Sequence, residues 1–119
     1  NSNNVLLDAY NANPDSMLAA LQNFRELKMN GKIVILGDMF ELGSESKDQH
    51  QIIINDIDEN DFEAVYLCGN HFASSVLLNG VKAFATFEEL QSFFNQQEFQ
   101  NKTILIKGSR GMQMDRLIK

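Results

Sequence analysis

Cysteine and proline occur once each in the 119 residues, and tryptophan not at all. The single thiol, Cys68, excludes an internal disulfide. With only two histidines beside it, the chain also lacks the ligands of a structural zinc site. No apolar run approaches the roughly 18 residues of a membrane span. Positive charge is scarce too: 10 Lys and Arg stand against 16 Asp and Glu, for a net charge of -6. That balance excludes a duplex nucleic-acid binder, which needs clustered cations to neutralise phosphates. Two phosphate signatures are missing as well. There is no G-x-x-x-x-G-K-[ST] loop, and no G-x-G-x-x-G follows the first apolar run. No Ser-His-Asp or Cys-His grouping offers an activated nucleophile. What remains is a single soluble domain, expected to be intracellular and cytoplasmic, and large enough to bury a core without covalent staples. Its opening Asn1-Ser2-Asn3-Asn4, which runs at once into apolar residues, suggests a piece of a longer protein.

Short apolar runs are plentiful: Val5 to Leu7, Ile33 to Leu36, Ala64 to Cys68, Val81 to Phe84 and Ile104 to Ile106. Their continuity suits strands buried on both faces better than a half-exposed sheet. Between them the period becomes helical. Met17, Ala20, Leu21, Phe24 and Leu27 form one stripe, Ile53, Ile54 and Ile57 a second, Phe72, Ala73, Val76 and Leu77 a third, and Phe87, Leu90, Phe93 and Phe94 a fourth. Asn13-Pro14 reads as an N-cap and first-turn pair, and Thr86 with Glu89 and Ser46 with Gln49 as capping boxes. Asn30-Gly31 reads as the end of the first helix. Strand and helix alternating in this way predict a three-layer α/β domain, with a mainly parallel sheet covered on both faces.

In such sheets ligands gather beyond the carboxyl ends of the strands. The segments that follow the strands are Asp8 to Pro14, Gly37 to Gly43, Gly69-Asn70-His71 and Lys107 to Met112. Each has a structural and a functional reading. Asp8 is a strand-end carboxylate satisfied by loop amides, or a ligand contact; Asn11 and Asn13 are turn and cap residues, or amide ligands. Asp38 fits a turn cap, which does not explain the long loop with Glu41 after it. Lys107, Ser109 and Arg110 combine two cations, a hydroxyl and glycine amides ahead of a predicted helix, and this suits an anion. His50 reads as a surface position at the start of the second helix, and His71 as the beginning of the third. Cys68 reads as a buried small hydrophobe. No residue is assigned a catalytic role or a metal.

Three segments carry a resemblance. Asp8-Ala9-Tyr10-Asn11-Ala12-Asn13-Pro14-Asp15-Ser16-Met17, Leu36-Gly37-Asp38-Met39-Phe40-Glu41-Leu42-Gly43 with His50 beyond it, and Ile106-Lys107-Gly108-Ser109-Arg110-Gly111-Met112 together resemble the C-terminal domain of the Mur ligase family. The likeness runs from about Val5 to Ile118, and it takes residues 1–119 as one Rossmann-like domain of a three-domain enzyme. It implies peptidoglycan precursor synthesis. In that reaction ATP activates the carboxylate of UDP-N-acetylmuramoyl-tripeptide as an acyl phosphate, and the amine of D-alanyl-D-alanine attacks it. ATP and magnesium would be held mainly by an upstream central domain, and the UDP-sugar by an N-terminal one; those two domains are the implied partners, and the isolated domain is expected to be inactive. Asp8, Tyr10, Asn11 and Asn13 match the nucleotide-facing motif. Lys107, Ser109 and Arg110 match the loop near the incoming dipeptide, while Asp38 and Glu41 would receive its ammonium or orient the loop. Phe40 occupies a position expected to vary. Two alternatives stay open: the same domain of another amino-acid ligase of the family, or a non-enzymatic flavodoxin-like binding domain.

Overall fold

The computed structural model describes residues 3–78 and 80–118. Asn1 and Ser2 of the opening segment therefore lie outside the described residues. Five strands, β1 (Asn4–Asp8), β2 (Lys32–Gly37), β3 (Ala64–Cys68), β4 (Val81–Phe84) and β5 (Thr103–Lys107), alternate with helices α1 (Pro14–Glu26), α2 (Ser46–Asp56), α3 (Asn70–Ala73) and α4 (Phe87–Gln96). All pairings are parallel, in the order β1-β5-β2-β3-β4. This is the three-layer α/β architecture with a parallel sheet that the alternation predicts, and it agrees with the Rossmann-like domain that the resemblance implies. Among the described residues no helix is long and apolar enough to cross a membrane.

Two apolar layers flank the sheet. Met17, Leu21 and Phe24 of α1, Ile53 and Ile54 of α2 and Phe72 of α3 pack on Val34, Leu36, Val65, Leu67 and Leu105. Phe87 and Leu90 of α4, with Met114 and Leu117, cover Ile33, Ile35, Ile104 and Ile106 on the other face. The strand order explains the split. Three connections step across the sheet in one direction, and the fourth returns to insert β5 between β1 and β2; with right-handed crossovers the returning helix must lie on the opposite face. The chain leaving β5 therefore turns to the α4 side, while those leaving β1 and β2 turn to the α1 and α2 side. The strand ends part at β5, which is where α/β sheets of this kind open a crevice.

Several local expectations are corrected. β1 is an edge strand with one neighbour, so Leu6 and Leu7 are exposed rather than buried on both faces. α1 ends at Glu26 with Leu27 as its exposed C-cap. Gly31, at φ +67°, serves the turn into β2 instead of the helix end. A 3-10 turn at Gly43–Glu45 runs directly into α2, so Ser46 is already helical and is not the cap of a box with Gln49. The third stripe stops early. α3 ends at Ala73, and Val76 is 74% exposed, its N–H and C=O both satisfied by the Gln51 side chain at 2.8 and 2.9 Å. Beyond β5 lie two 3-10 turns, Arg110–Met112 and Met114–Ile118, in place of a helix. The caps of α1 and α4 are as predicted. Asn13 Oδ1 accepts from Ser16 N at 2.8 Å, and Thr86 Oγ1 accepts from Glu89 N at 3.2 Å.

Candidate functional site

β1 and β5 end side by side, with Asp8 and Lys107 as register partners. Lys107 is only 2% exposed, and its ammonium donates to Asp8 Oδ2 at 2.6 Å and to the Asn11 carbonyl at 3.0 Å. The Lys107 hydrogen bond, ahead of its charge and of the Tyr10 and Asn11 amides, holds the Asp8 carboxyl below the usual carboxylate range against the opposing effect of burial. The lysine thus closes the first loop from behind instead of facing the crevice.

The β2 loop is anchored from within. Asp38 is 3% exposed, and its two carboxylate oxygens accept from His71 N at 2.9 Å and Phe72 N at 3.0 Å. These bonds satisfy the first amides of α3. Gly69 is required by this arrangement, because its φ is +123° and a Cβ there would overlap the Asp38 carboxylate. Asp38 also pairs through its backbone, donating to the Cys68 carbonyl at 2.9 Å and accepting from Ser109 N at 3.2 Å. Of the two roles open to it, orienting the loop is the one this geometry fits.

His50 is fully buried, which corrects its reading as a surface residue. Its Nε2 accepts from Met39 N at 3.0 Å and its Nδ1 donates to the Ser46 carbonyl at 2.7 Å, so the ring is the neutral Nδ1–H tautomer. Burial lowers its pKa, outweighing the Ser46 carbonyl and the Asp38 carboxylate 3.7 Å away. His71 stacks on it at 4.9 Å between centroids and meets Ser46 Oγ at 3.2 Å. This cluster gave no motif in the sequence beyond the histidines themselves. Cys68 is buried as expected, and burial pushes its thiol up to about 12, far from a nucleophile's range.

Outside these anchors a cleft of about 310 Å³ brings together Tyr10, Asn11 and Asn13 from the first loop, Glu41 from the second, and Ser109 and Arg110 from the last. Ser109 Oγ accepts from Phe40 N at 2.8 Å, tying the second loop to the last. The Arg110 guanidinium lies over the Tyr10 ring, 5.0 Å from its centroid, and Tyr10 itself is 70% exposed. The same pair walls a wider cleft of about 620 Å³, shared with Asp8, Gln113 and Arg116. Of the residues proposed as ligands, six thus share one cleft, while Asp8, Lys107 and Asp38 lie around it as supports. Among the described residues no group of three or more His, Cys, Asp or Glu could hold a metal ion. The arrangement can stack a planar group on Tyr10, donate from amides, and meet an anion with a guanidinium and a hydroxyl.

A parallel three-layer sheet with amides, a hydroxyl and a guanidinium at the ends of β1, β2 and β5 is matched over residues 1–110 by the family described as Mur ligase, glutamate ligase domain, and the chain belongs to that family. Curated relatives carry the name UDP-N-acetylmuramoyl-tripeptide--D-alanyl-D-alanine ligase. The one from Rickettsia prowazekii is 35% identical over 118 residues, covering 96% of this chain and 26% of that protein. The one from Treponema pallidum is 38% identical over 119 residues, covering 94% and 26%. Among solved structures, MurF from Acinetobacter baumannii superposes with a TM-score of 0.82 at 29% identity, over 96% of this chain and 26% of that one. MurF from Thermotoga maritima, in complex with ADP, has a TM-score of 0.75 at 21% identity over 96% and 26%, a likeness of fold. The chain spans about a quarter of the length of these relatives.

Proposed function

We propose that this domain closes the active site of an ATP-dependent ligase that joins D-alanyl-D-alanine to UDP-N-acetylmuramoyl-tripeptide. The observation that carries the reading is the single cleft uniting Tyr10, Asn11 and Asn13 with Ser109 and Arg110, in a chain whose relatives bear that ligase's name. ATP, when bound in the whole enzyme, supplies the phosphoryl group that turns the tripeptide carboxylate into an acylating agent. The residues here fit an edge contact to a nucleotide: an exposed aromatic ring and side-chain amides, with no phosphate loop. Magnesium is assigned no ligand in this chain.

Each loop then has a task. Tyr10, Asn11 and Asn13 face the nucleotide side. Arg110, with the Ser109 hydroxyl, meets the carboxylate of the incoming dipeptide, fixing its amine for attack. Glu41 lies on the same cleft as a partner for the dipeptide ammonium. Closure of the domain over the upstream site excludes water that would otherwise consume the activated carboxylate. Lys107 and Asp38 act on loop geometry.

The test uses the full-length protein with ATP and UDP-N-acetylmuramoyl-tripeptide, following ADP release as the acceptor is varied. Release with D-alanyl-D-alanine and not with single amino acids is expected. Release with a single amino acid would assign the domain to another ligase of the family, and none with any acceptor would favour a binding module.

A further inference from the structure

We propose that Phe40 is a positioning residue for Arg110, holding the segment that carries it so that the guanidinium stays over Tyr10. The consequence for catalysis rests on the reading of the cleft given above, whereas the arrangement itself does not.

Phe40 is 41% exposed, although the residue before it is fully buried in the core. It stands at the tip of the β2 loop. Just before it, Met39 is fully buried with its N–H bonded to His50, and Asp38 is pinned by the Cys68 carbonyl and the Ser109 amide. Just after it, Glu41 turns the backbone away at φ +65°. Buried hydrogen bonds therefore set where the Phe40 side chain emerges.

Phe40 touches the last loop twice. Its N–H donates to Ser109 Oγ at 2.8 Å. Its ring lies so close to Gly111 that a Cβ added there would stand 2.6 Å from Cε2. Arg110 is the residue between these two contacts, and its guanidinium reaches across to Tyr10. Holding the residues on either side fixes the direction in which the arginine leaves the backbone, and this is how a neighbour that is not itself a ligand aims one. Phe40 and Gly111 also form the partition between the cleft holding Arg110 and a second of about 290 Å³ that includes Asn70, His71 and Arg116. Removing the ring would merge the two and leave Gly111 unsupported.

Two substitutions in the full-length protein test this from opposite sides. Phe40→Ala removes the ring, and Gly111→Ala displaces it with a methyl group. The first readout needs no turnover: the rate at which phenylglyoxal modifies Arg110, followed by mass spectrometry of its peptide. Both single variants should raise that rate about two- to fivefold, the factor that corresponds to loss of one exposed cation–π contact. In the double variant the methyl group has room, so it should be no worse than Phe40→Ala alone. Phe40→Leu, which keeps apolar bulk against Gly111, should recover part of the wild-type value. The second readout is the KM for D-alanyl-D-alanine, expected to rise by a similar factor while the KM values for ATP and UDP-N-acetylmuramoyl-tripeptide stay unchanged. Unchanged Arg110 modification in Phe40→Ala, or a double variant worse than both singles, would overturn the proposal. Faster modification with an unchanged dipeptide KM would uphold the positioning role and overturn the assignment of the cleft to the dipeptide.

Discussion

Lys107 and Asp8 form an ion pair at 2.6 Å between register partners on adjacent parallel strands, the lysine buried and the carboxylate half exposed. The same ammonium bonds the Asn11 carbonyl, so one side chain fixes both the end of β1 and the loop that continues from it. Lys107→Met should therefore destabilise the 119-residue chain by about 0.5–1.5 kcal/mol in urea unfolding, the net worth of a hydrogen bond whose acceptors water can reach in its place. The pair also predicts a pH dependence. Because the folded Asp8 pKa lies below its unfolded value, its contribution is complete above the ordinary carboxylate range. It is lost as pH falls through the lowered folded value. The stability gap between wild type and Asp8→Asn should be open at pH 7 and close below about pH 3.9. A gap independent of pH would contradict this assignment.

Gly69→Ala should be severe. The residue has φ +123°, and its Cβ would overlap the Asp38 carboxylate that holds the His71 and Phe72 amides. A loss of more than about 2 kcal/mol is expected, from backbone strain together with the broken carboxylate bonds. The urea midpoint measures it, and a change within error would mean that the β2 and β3 loops tolerate separation.

His50 predicts the behaviour near neutral pH. Burial holds the folded imidazole below the ordinary histidine value near 6.5, so in that window the unfolded chain takes up a proton that the folded chain refuses. Stability should be complete above about pH 6.5 and fall on acidification at up to about 1.4 kcal/mol per pH unit. Asp38, facing the ring at 3.7 Å, opposes this shift, and the stacked His71 adds to it. His50→Gln cannot titrate, and its urea midpoint should vary less between pH 7 and pH 5 than that of wild type. Equal slopes in the two proteins would place the titration elsewhere.

Asn13 carries two roles that one substitution separates. Its side chain caps α1 through Ser16 N, and it also lines the cleft. Asn13→Ser keeps a capping oxygen and should hold stability to a few tenths of a kcal/mol, whereas Asn13→Ala should cost about 0.5–2 kcal/mol. If Asn13 contacts the nucleotide, Asn13→Ser raises the KM for ATP in the full-length protein without that stability loss. An unchanged KM would leave it as a cap alone.

The layered sheet was legible because the apolar runs of β2, β3 and β5 are continuous, as burial on both faces requires, and because Asn13-Pro14 and Thr86 with Glu89 mark helix starts by local chemistry. Less legible was whatever depends on neighbours distant in sequence. The exposure of Leu6 and Leu7 follows from strand order, which the pattern of one strand does not contain. The helical spacing of Val76 and Leu77 is overridden by the Gln51 side chain, which pairs with the Val76 backbone from 25 residues away. At the site, the gathering of Tyr10, Asn11, Asn13, Ser109 and Arg110 was foreseeable from strand-end position. The withdrawal of Lys107 behind Asp8 was not, since a lysine beside glycines reads the same whether it faces a ligand or a carboxylate. Phe40 was read only as a variable position and His50 as a surface one for a related reason: their contacts, with Gly111 and Met39, join separate loops or a loop to a helix.

On the proposed reading of the cleft, Arg110 meets the carboxylate of the incoming dipeptide. Initial rates of the full-length enzyme carrying Arg110→Ala, measured across D-alanyl-D-alanine concentrations with the other substrates saturating, test it most directly. A raised KM for the dipeptide is expected, with losses concentrated at limiting dipeptide. Wild-type kinetics at limiting dipeptide would contradict it.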